Sequence, residues 1–293
     1  MSSTDAYAAH KRVLVDCDPA IGVRNRDLDD GLALLLLLAS PVELEGLTIN
    51  FGNVATDVGV SVAQDLLQRV GSSIPIVGGA TSRHDLGVSN PAVDFLIDSV
   101  RAAPGEISLL ALAPLTNVAT AMTLDRTFAG NLREIVIMGG SFGFKPFKWV
   151  GEFNFHLDGA AAARVISAPV PKTLITMDVC SQAVVRQAQL DRVRTHTSEF
   201  ATYLGDAIEP WLSLNRRVFR RAKGFFPWDG VAAAYLLDPS LFDSNAVAID
   251  VQSSGLRSGR LGISDRGTTI NAPTRLDADR FMTLFMDALI SYC

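Results

Sequence analysis

Apolar and polar positions alternate along this chain in blocks, and the blocks change period. Arg12–Asp18 (RVLVDCD) is a short β-branched run, and Asp29–Ala39 is apolar over helical length. Leu44–Asn50 then reads as strand and Val58–Val70 as helix, with Leu66, Leu67 and Val70 at helical spacing. Ile74–Val77 reads as strand and Pro91–Ala103 as helix, with Val93, Leu96, Ile97 and Val100 on one face. The pattern continues as strand Ile107–Leu112, helix Leu115–Met122, strand Glu134–Met138, helix Ala160–Ser167 and strand Thr173–Met177. Long helical stretches follow over Leu190–Arg221 and Gly230–Leu237, with late strands at Val247–Val251 and Arg260–Ser264 and a closing helix at Ala278–Ser291.

Strand and helix alternate, and the strands are apolar almost throughout. That predicts an α/β fold: a mostly parallel central sheet covered by helices on both faces. No linker, repeat or low-complexity stretch divides the 293 residues, so one domain is expected, with residues 1–11 as a flexible tail. In such a sheet ligands bind outside the carboxyl ends of the strands, so the residues that end strands carry the functional question.

Composition narrows the answer. The chain is 48% hydrophobic and carries a net charge of −5, so no global basic field exists to hold a nucleic acid. The longest apolar run, Leu32–Ala39, falls far short of the ~20 residues of a membrane span. Residues 1–12 are polar and lack a signal-peptide core. Three scattered cysteines, Cys17, Cys180 and Cys293, suit a reducing compartment. The expectation is a cytoplasmic protein that touches neither nucleic acid nor membrane.

Acids cluster where the first strand ends: Asp16-Cys17-Asp18, then Asp27-Leu28-Asp29-Asp30 opening a helix. Acids in a first helical turn are favoured by the macrodipole, and an Asp at a strand end can cap a turn. Carboxylates crowded into one cleft, however, repel by roughly 4 kcal/mol per pair at about 4 Å and an effective dielectric of about 20. Protonation or a hard cation relieves that, and oxygen-only donors suit calcium or magnesium. Farther on, Asp229 in Phe226-Pro227-Trp228-Asp229-Gly230 reads by itself as a helix cap. Glu152 and Asn154 in Gly151-Glu152-Phe153-Asn154 fit an exposed strand or turn.

In order along the chain stand VDCDP, DLDDGLALLLLLAS, LTINFGN, LLALAPLTNVA, IVIMGGS, GEFNFHLDGAAA and PWDGVAAAYLLDP. This series resembles the nucleoside hydrolases, also called inosine–uridine preferring N-ribohydrolases, from about Arg12 to the C-terminus. The resemblance implies an open, Rossmann-like sheet and calcium-dependent cleavage of the bond between ribose and base. It implies calcium ligands at Asp18, Asp30 and Asp229 through carboxylates and at Leu112 through its carbonyl. Asp18 would be the general base, with Asn53 beside the nucleophile and ribose. Asp29 would hold the ribose 2′-hydroxyl, Asn154 with Asp229 the 3′-hydroxyl, and Glu152 the 5′-hydroxyl; Asp16 would support the loop. A small nucleoside is the implied partner, and a homodimer or homotetramer the implied assembly.

Several features depart from the family pattern. Ten residues, Pro19–Leu28, separate Asp18 from Asp29 where the family is compact, so Asp29 and Asp30, not Asp27, align with its acidic pair. Ala20 replaces a glycine, and Pro146 an asparagine that contacts the 5′ end of the sugar. The long flap of many relatives is reduced to Arg83-His84-Asp85-Leu86-Gly87, leaving the base side open or for a neighbouring subunit to cover. Trp228 stands where other branches have a histidine; the purine-specific branch has tryptophan there, stacking on the base. Its alternative reading is a large residue packing a helix start. Candidates for a second aromatic wall are His84, Phe142, Phe144, Phe225 and Phe226. Asn215-Arg216-Arg217 and Arg220-Arg221 read as a solvated helix face, His156 as structural, and His10 and His196 as surface. Two other readings remain at this point: a nucleoside- or ribose-binding relative with little or no turnover, and a haloacid dehalogenase-type phosphatase suggested by Val15-Asp16-Cys17-Asp18.

Overall fold

The computed structural model describes residues 11–144 and 151–293; Pro146 and His10 lie outside them. The strands are β1 Arg12–Cys17, β2 Glu43–Ile49, β3 Ile76–Gly78, β4 Ile107–Ala111, β5 Glu134–Met138, β6 Lys172–Ile175, β7 Ala246–Ile249 and β8 Thr268–Asn271. They form one eight-stranded sheet in the order β3-β2-β1-β4-β5-β6-β8-β7. All pairings are parallel except β7 with β8. From β1 the chain winds outward through β2 and β3, then returns to β4 on the other side of β1 and winds the opposite way. The switch point therefore lies between β1 and β4, where such sheets open a crevice for ligands.

The principal helices are α1 Asp29–Leu38, α2 Thr56–Arg69, α3 Pro91–Ala102, α4 Thr116–Leu124, α5 Phe153–Leu157, α6 Gly159–Ser167, α7 Gln187–Arg194, α8 Glu199–Val218, α9 Trp228–Leu237 and α10 Ala278–Ile290. Most are amphipathic: in α3 the buried positions include Val93, Leu96, Ile97 and Val100, the face read from the sequence. Two are not. In α1 every residue from Asp29 to Leu37 is buried, and in α9 all of Asp229–Leu237 except Tyr235 is buried. A helix apolar all round needs neighbours on every side, and α1 and α9 supply each other with one. Their packing brings two acid-bearing N-termini, 200 residues apart in sequence, into contact: the Asp229 amide donates to Asp29 Oδ2 at 3.2 Å.

The structure corrects several expectations. Lys11 is no tail residue: it is 2% exposed, and its ammonium donates to the Leu236 carbonyl at 2.9 Å. Arg260–Ser264 forms only isolated bridges, Ser141 with Arg260 and Ile249 with Ile263. The last strand is instead β8, whose sequence TTIN is too short and polar to announce itself. The stretch Leu190–Arg221 is two helices, α7 and α8, with Ser198 accepting from the Ala201 amide at 2.9 Å to start the second. Thr173–Met177 ends as strand at Ile175, and Met177 opens a short helical turn. No helix among the described residues is long and apolar enough to cross a membrane.

Candidate active site

A cavity of about 260 Å³ opens at the carboxyl ends of β1, β4, β5 and β6, close to the size range of small-molecule sites, roughly 300–1,000 Å³. Of the sequence-derived candidates, Asp18, Asp29, Asp30, Asn53, Leu112, Glu152, Asn154, Trp228 and Asp229 line it, whereas Asp16 and the second-wall candidates His84, Phe142, Phe144, Phe225 and Phe226 do not.

Asp16 lies beneath. Fully buried on β1, it accepts from Thr48 Oγ1 at 2.7 Å, Asn117 Nδ2 at 2.8 Å and Asn50 Nδ2 at 3.4 Å. It thus ties β1 to β2 and α4, and burial still pushes its carboxyl up to about 6. Asp18, just past β1, accepts from the Asn53 amide at 2.5 Å, and its own amide donates to Asp30 Oδ1 at 3.1 Å. A Cβ on Gly52 would stand 1.9 Å from Asp18 Oδ2, so this glycine makes room for the carboxylate.

Carboxylate oxygens of Asp29, Asp30 and Asp229 lie within 4.8 Å of one another, and all three residues are buried. Burial pushes Asp30 up to about 8 and Asp18 and Asp229 well above the usual range, neighbouring carboxylates adding to the rise; burial raises Asp29 too. Without positive charge these acids would have to keep protons at neutral pH. The donor set fits a hard divalent cation: several buried carboxylates, no sulfur or imidazole, and a carbonyl at hand. That carbonyl is Leu112, which accepts from Asn154 Nδ2 at 2.7 Å and keeps a second lone pair. The three carboxylates gathered most tightly include Asp29, assigned from the resemblance to ribose rather than metal.

Glu152 and Asn154 form no exposed turn. Glu152 is 3% exposed and caps α5: its Oε2 accepts from Phe155 N at 2.8 Å and Gly140 N at 2.9 Å, and its Oε1 from Asn154 N. Asn53 acts through both ends of its side chain on the chain of Asp27, accepting from Asp27 N at 3.2 Å and donating to Asp27 O at 2.8 Å. Asp27, set aside in favour of Asp29 and Asp30, also lines the cavity, and its Oδ1 accepts from Leu28 N at 2.8 Å at the start of α1.

Four aromatic side chains line the cavity as well: Phe153, Trp211, Phe219 and Trp228. Trp228 is half-buried, with Phe226 at 4.6 Å and Phe144 at 5.8 Å between ring centroids. Phe225 belongs to the core, and the segment 78–90 with His84 supplies no lining residue. The residues that sequence reasoning missed are Met138, Phe153 and Met177, Asn25, Arg26 and Asp27 of the insertion, and Trp211, Asn215 and Phe219 of the α8 region. The last three recur at i, i+4 and i+8, a helical signal hidden among arginines. Asn215 is therefore no solvated residue: it is 5% exposed, unlike Arg216 and Arg217. His156 is structural as expected, its Nδ1 lying 3.1 Å from the Arg257 carbonyl oxygen.

The sequence pattern of the inosine-uridine preferring nucleoside hydrolases matches residues 13–283. The chain belongs to that family. It is accordingly an N-ribohydrolase, a class whose reaction is hydrolysis of a ribonucleoside's N-glycosidic bond. The phosphatase reading falls with this match. The pyrimidine-specific ribonucleoside hydrolase RihA of Shewanella woodyi is 26% identical, covering 96% of this chain and 98% of the relative. A probable uridine nucleosidase of Arabidopsis thaliana is 27% identical over 97% of this chain and 99% of its own. A solved plant nucleoside hydrolase superposes with a TM-score of 0.85 at 26% identity, covering 96% of this chain and 99% of that one. The purine-preferring ribonucleoside hydrolase of Gardnerella vaginalis shares the fold at the same TM-score, 0.85, with 23% identity and coverage of 96% and 99%. Relatives named for pyrimidine-specific and for purine-preferring activity thus both align over 96% of this chain.

Proposed function

We propose that this hydrolase releases ribose and free base from ribonucleosides, favouring purine nucleosides, with calcium held by Asp18, Asp30, Asp229 and the Leu112 carbonyl. The observation that carries the reading is the convergence of Asp18, Asp29, Asp30 and Asp229 in one cavity with Trp228. Calcium bound there supplies the charge that keeps the buried acids ionised and a seat for the sugar diol and a water.

Asp18, held by the Asn53 amide, takes the proton of the attacking water. Asp29 binds the ribose 2′-hydroxyl, Asn154 with Asp229 the 3′-hydroxyl, and Glu152 the 5′-hydroxyl. Departure of the base leaves an oxocarbenium-like sugar, and a ring of fixed carboxylates and amides is arranged to stabilise that charge. Gripping hydroxyls remote from the breaking bond allows binding to distort the ribose toward its transition state. Trp228 offers a flat indole face for a base, and a purine covers more of it than a pyrimidine does. The three free cysteines suit work in the cytoplasm.

The test is release of ribose from inosine, guanosine, adenosine, uridine and cytidine with calcium and with chelator. The reading expects calcium-dependent release, fastest with purines. Faster uridine cleavage overturns the purine preference, and chelator-resistant turnover the calcium requirement.

A further inference from the structure

Breaking the C1′–N bond leaves an electron pair on the base, so the base end of the pocket calls for positive charge. The described lining residues include no histidine, lysine, tyrosine or cysteine, and their single cation is Arg26. Six acids line the same cavity, yet Arg26 makes no ion pair with a carboxylate among the described residues.

The loop that carries Arg26 is anchored at its two ends, while Arg24, Asn25 and Arg26 between them are exposed. Ile21 is 3% exposed and wedged against α1, where a Cβ on Gly31 would come within 2.7 Å of it. Leu28 is 1% exposed, and the main chain of Asp27 is gripped from both sides by the Asn53 amide. Gly22, at φ +82°, lies against Tyr203: a Cβ there would stand 3.9 Å from the tyrosine hydroxyl. Tyr203 belongs to α8, whose later turns bring Trp211 and Asn215 to the cavity. One end of the insertion thus touches α8, which also supplies Trp211 and Asn215 to the cavity, and the clamp on Asp27 fixes the main chain next to Arg26.

We propose that Arg26 is a catalytic residue of this hydrolase, touching the departing base and holding the negative charge that develops on it. The inference rests on the hydrolase reading above. In the step, the water oxygen bonds to C1′ and its proton passes to Asp18, while the C1′–N bond breaks with both electrons going to the base. The base leaves as an anion paired with the guanidinium, then takes a proton from solvent, and Asp18 returns its own to solvent. Arginine is not the proton source, because it stays charged at any pH a protein works at.

The experiment compares wild type, Arg26→Gln and Arg26→Lys on inosine and on 4-nitrophenyl β-D-ribofuranoside, whose leaving group is stable as an anion without help. Arg26→Gln is expected to lower kcat on inosine by about 10²-fold while changing nitrophenyl release by less than about 3-fold, with Arg26→Lys recovering part of the loss on inosine. Equal losses on both substrates, an unchanged kcat on inosine, or a rise in KM alone overturns the proposal. A wild type that cleaves the nitrophenyl riboside but no nucleoside removes the nucleoside reading instead, and the inference with it. Matching thermal unfolding of the variants separates lost chemistry from lost fold.

Discussion

The two ends of the pocket are built differently. At the sugar end, groups come from strand termini and buried helix starts, and their polar atoms are engaged. Asp16 accepts three side-chain bonds, Glu152 accepts three backbone amides, and Asn154 reaches the Leu112 carbonyl. At the base end, groups come from the insertion, α8 and the Phe144–Trp228 cluster, and the indole N–H of Trp211 is buried without an acceptor among the described residues. A saturated hydrogen-bond network rigidifies a site, whereas loops and half-buried aromatic rings tolerate change. On the proposed reading, the sheet holds the sugar chemistry, and the insertion, α8 and the aromatic cluster would set which base leaves.

The contrast can be broken by substitution. Asp229→Asn, at the sugar end, is expected to cut kcat/KM by about 10³-fold on every nucleoside alike and to abolish calcium-induced stabilisation. A loss confined to one base would dissolve the division of labour. Trp228→Ala, at the base end, should cost purine nucleosides about 10-fold to 100-fold, the worth of one stacked base, while slowing nitrophenyl riboside cleavage far less. A uniform loss would make Trp228 a packing residue.

Between these in kind stands a pH effect confined to the sugar end. The folded acids bind protons more tightly than unfolded ones, with Asp30 raised from 3.8 to about 8. Over that window the folded state holds more protons, so metal-free stability falls as pH rises. Calcium bound among these carboxylates, as proposed, would replace those protons. Its effect on Tm should therefore be larger at about pH 8 than at about pH 5, read by thermal unfolding with calcium and with chelator. An equal gain at both would place the ion away from these carboxylates.

The acids ending the first strand and opening α1 were legible because their signals are local, whereas Asp229, Glu152 and Asn154 joined them only through the family resemblance. Strand runs ending in acids, and apolar helices beginning with them, need no tertiary knowledge, and α1, α9 and β5 lie within two residues of their expected bounds. The base end was opaque for physical reasons. Trp211, Asn215 and Phe219 share a face, but their arginine neighbours give the segment the look of a solvated helix, and only packing shows which side turns inward. The Asn53 clamp joins residues 26 apart in sequence, a pairing no periodicity reveals. Nor did GEFN announce that its glutamate caps a short helix. The short helix hides the cap.

The hydrogen bond between Asp229 and Asp29 spans 200 residues, so the two halves of the acidic cluster leave the ribosome far apart in time. While the chain is being made, Asp29 and Asp30 have no partner helix, and the buried face of α1 has nothing to lie against. On the proposed assignment of Asp229, a partly synthesised chain would not cleave nucleosides, and activity is expected only after the segment through Leu237 has emerged and docked. Loss of that C-terminal part, by early termination or proteolysis, is then expected to remove catalysis outright rather than weaken it.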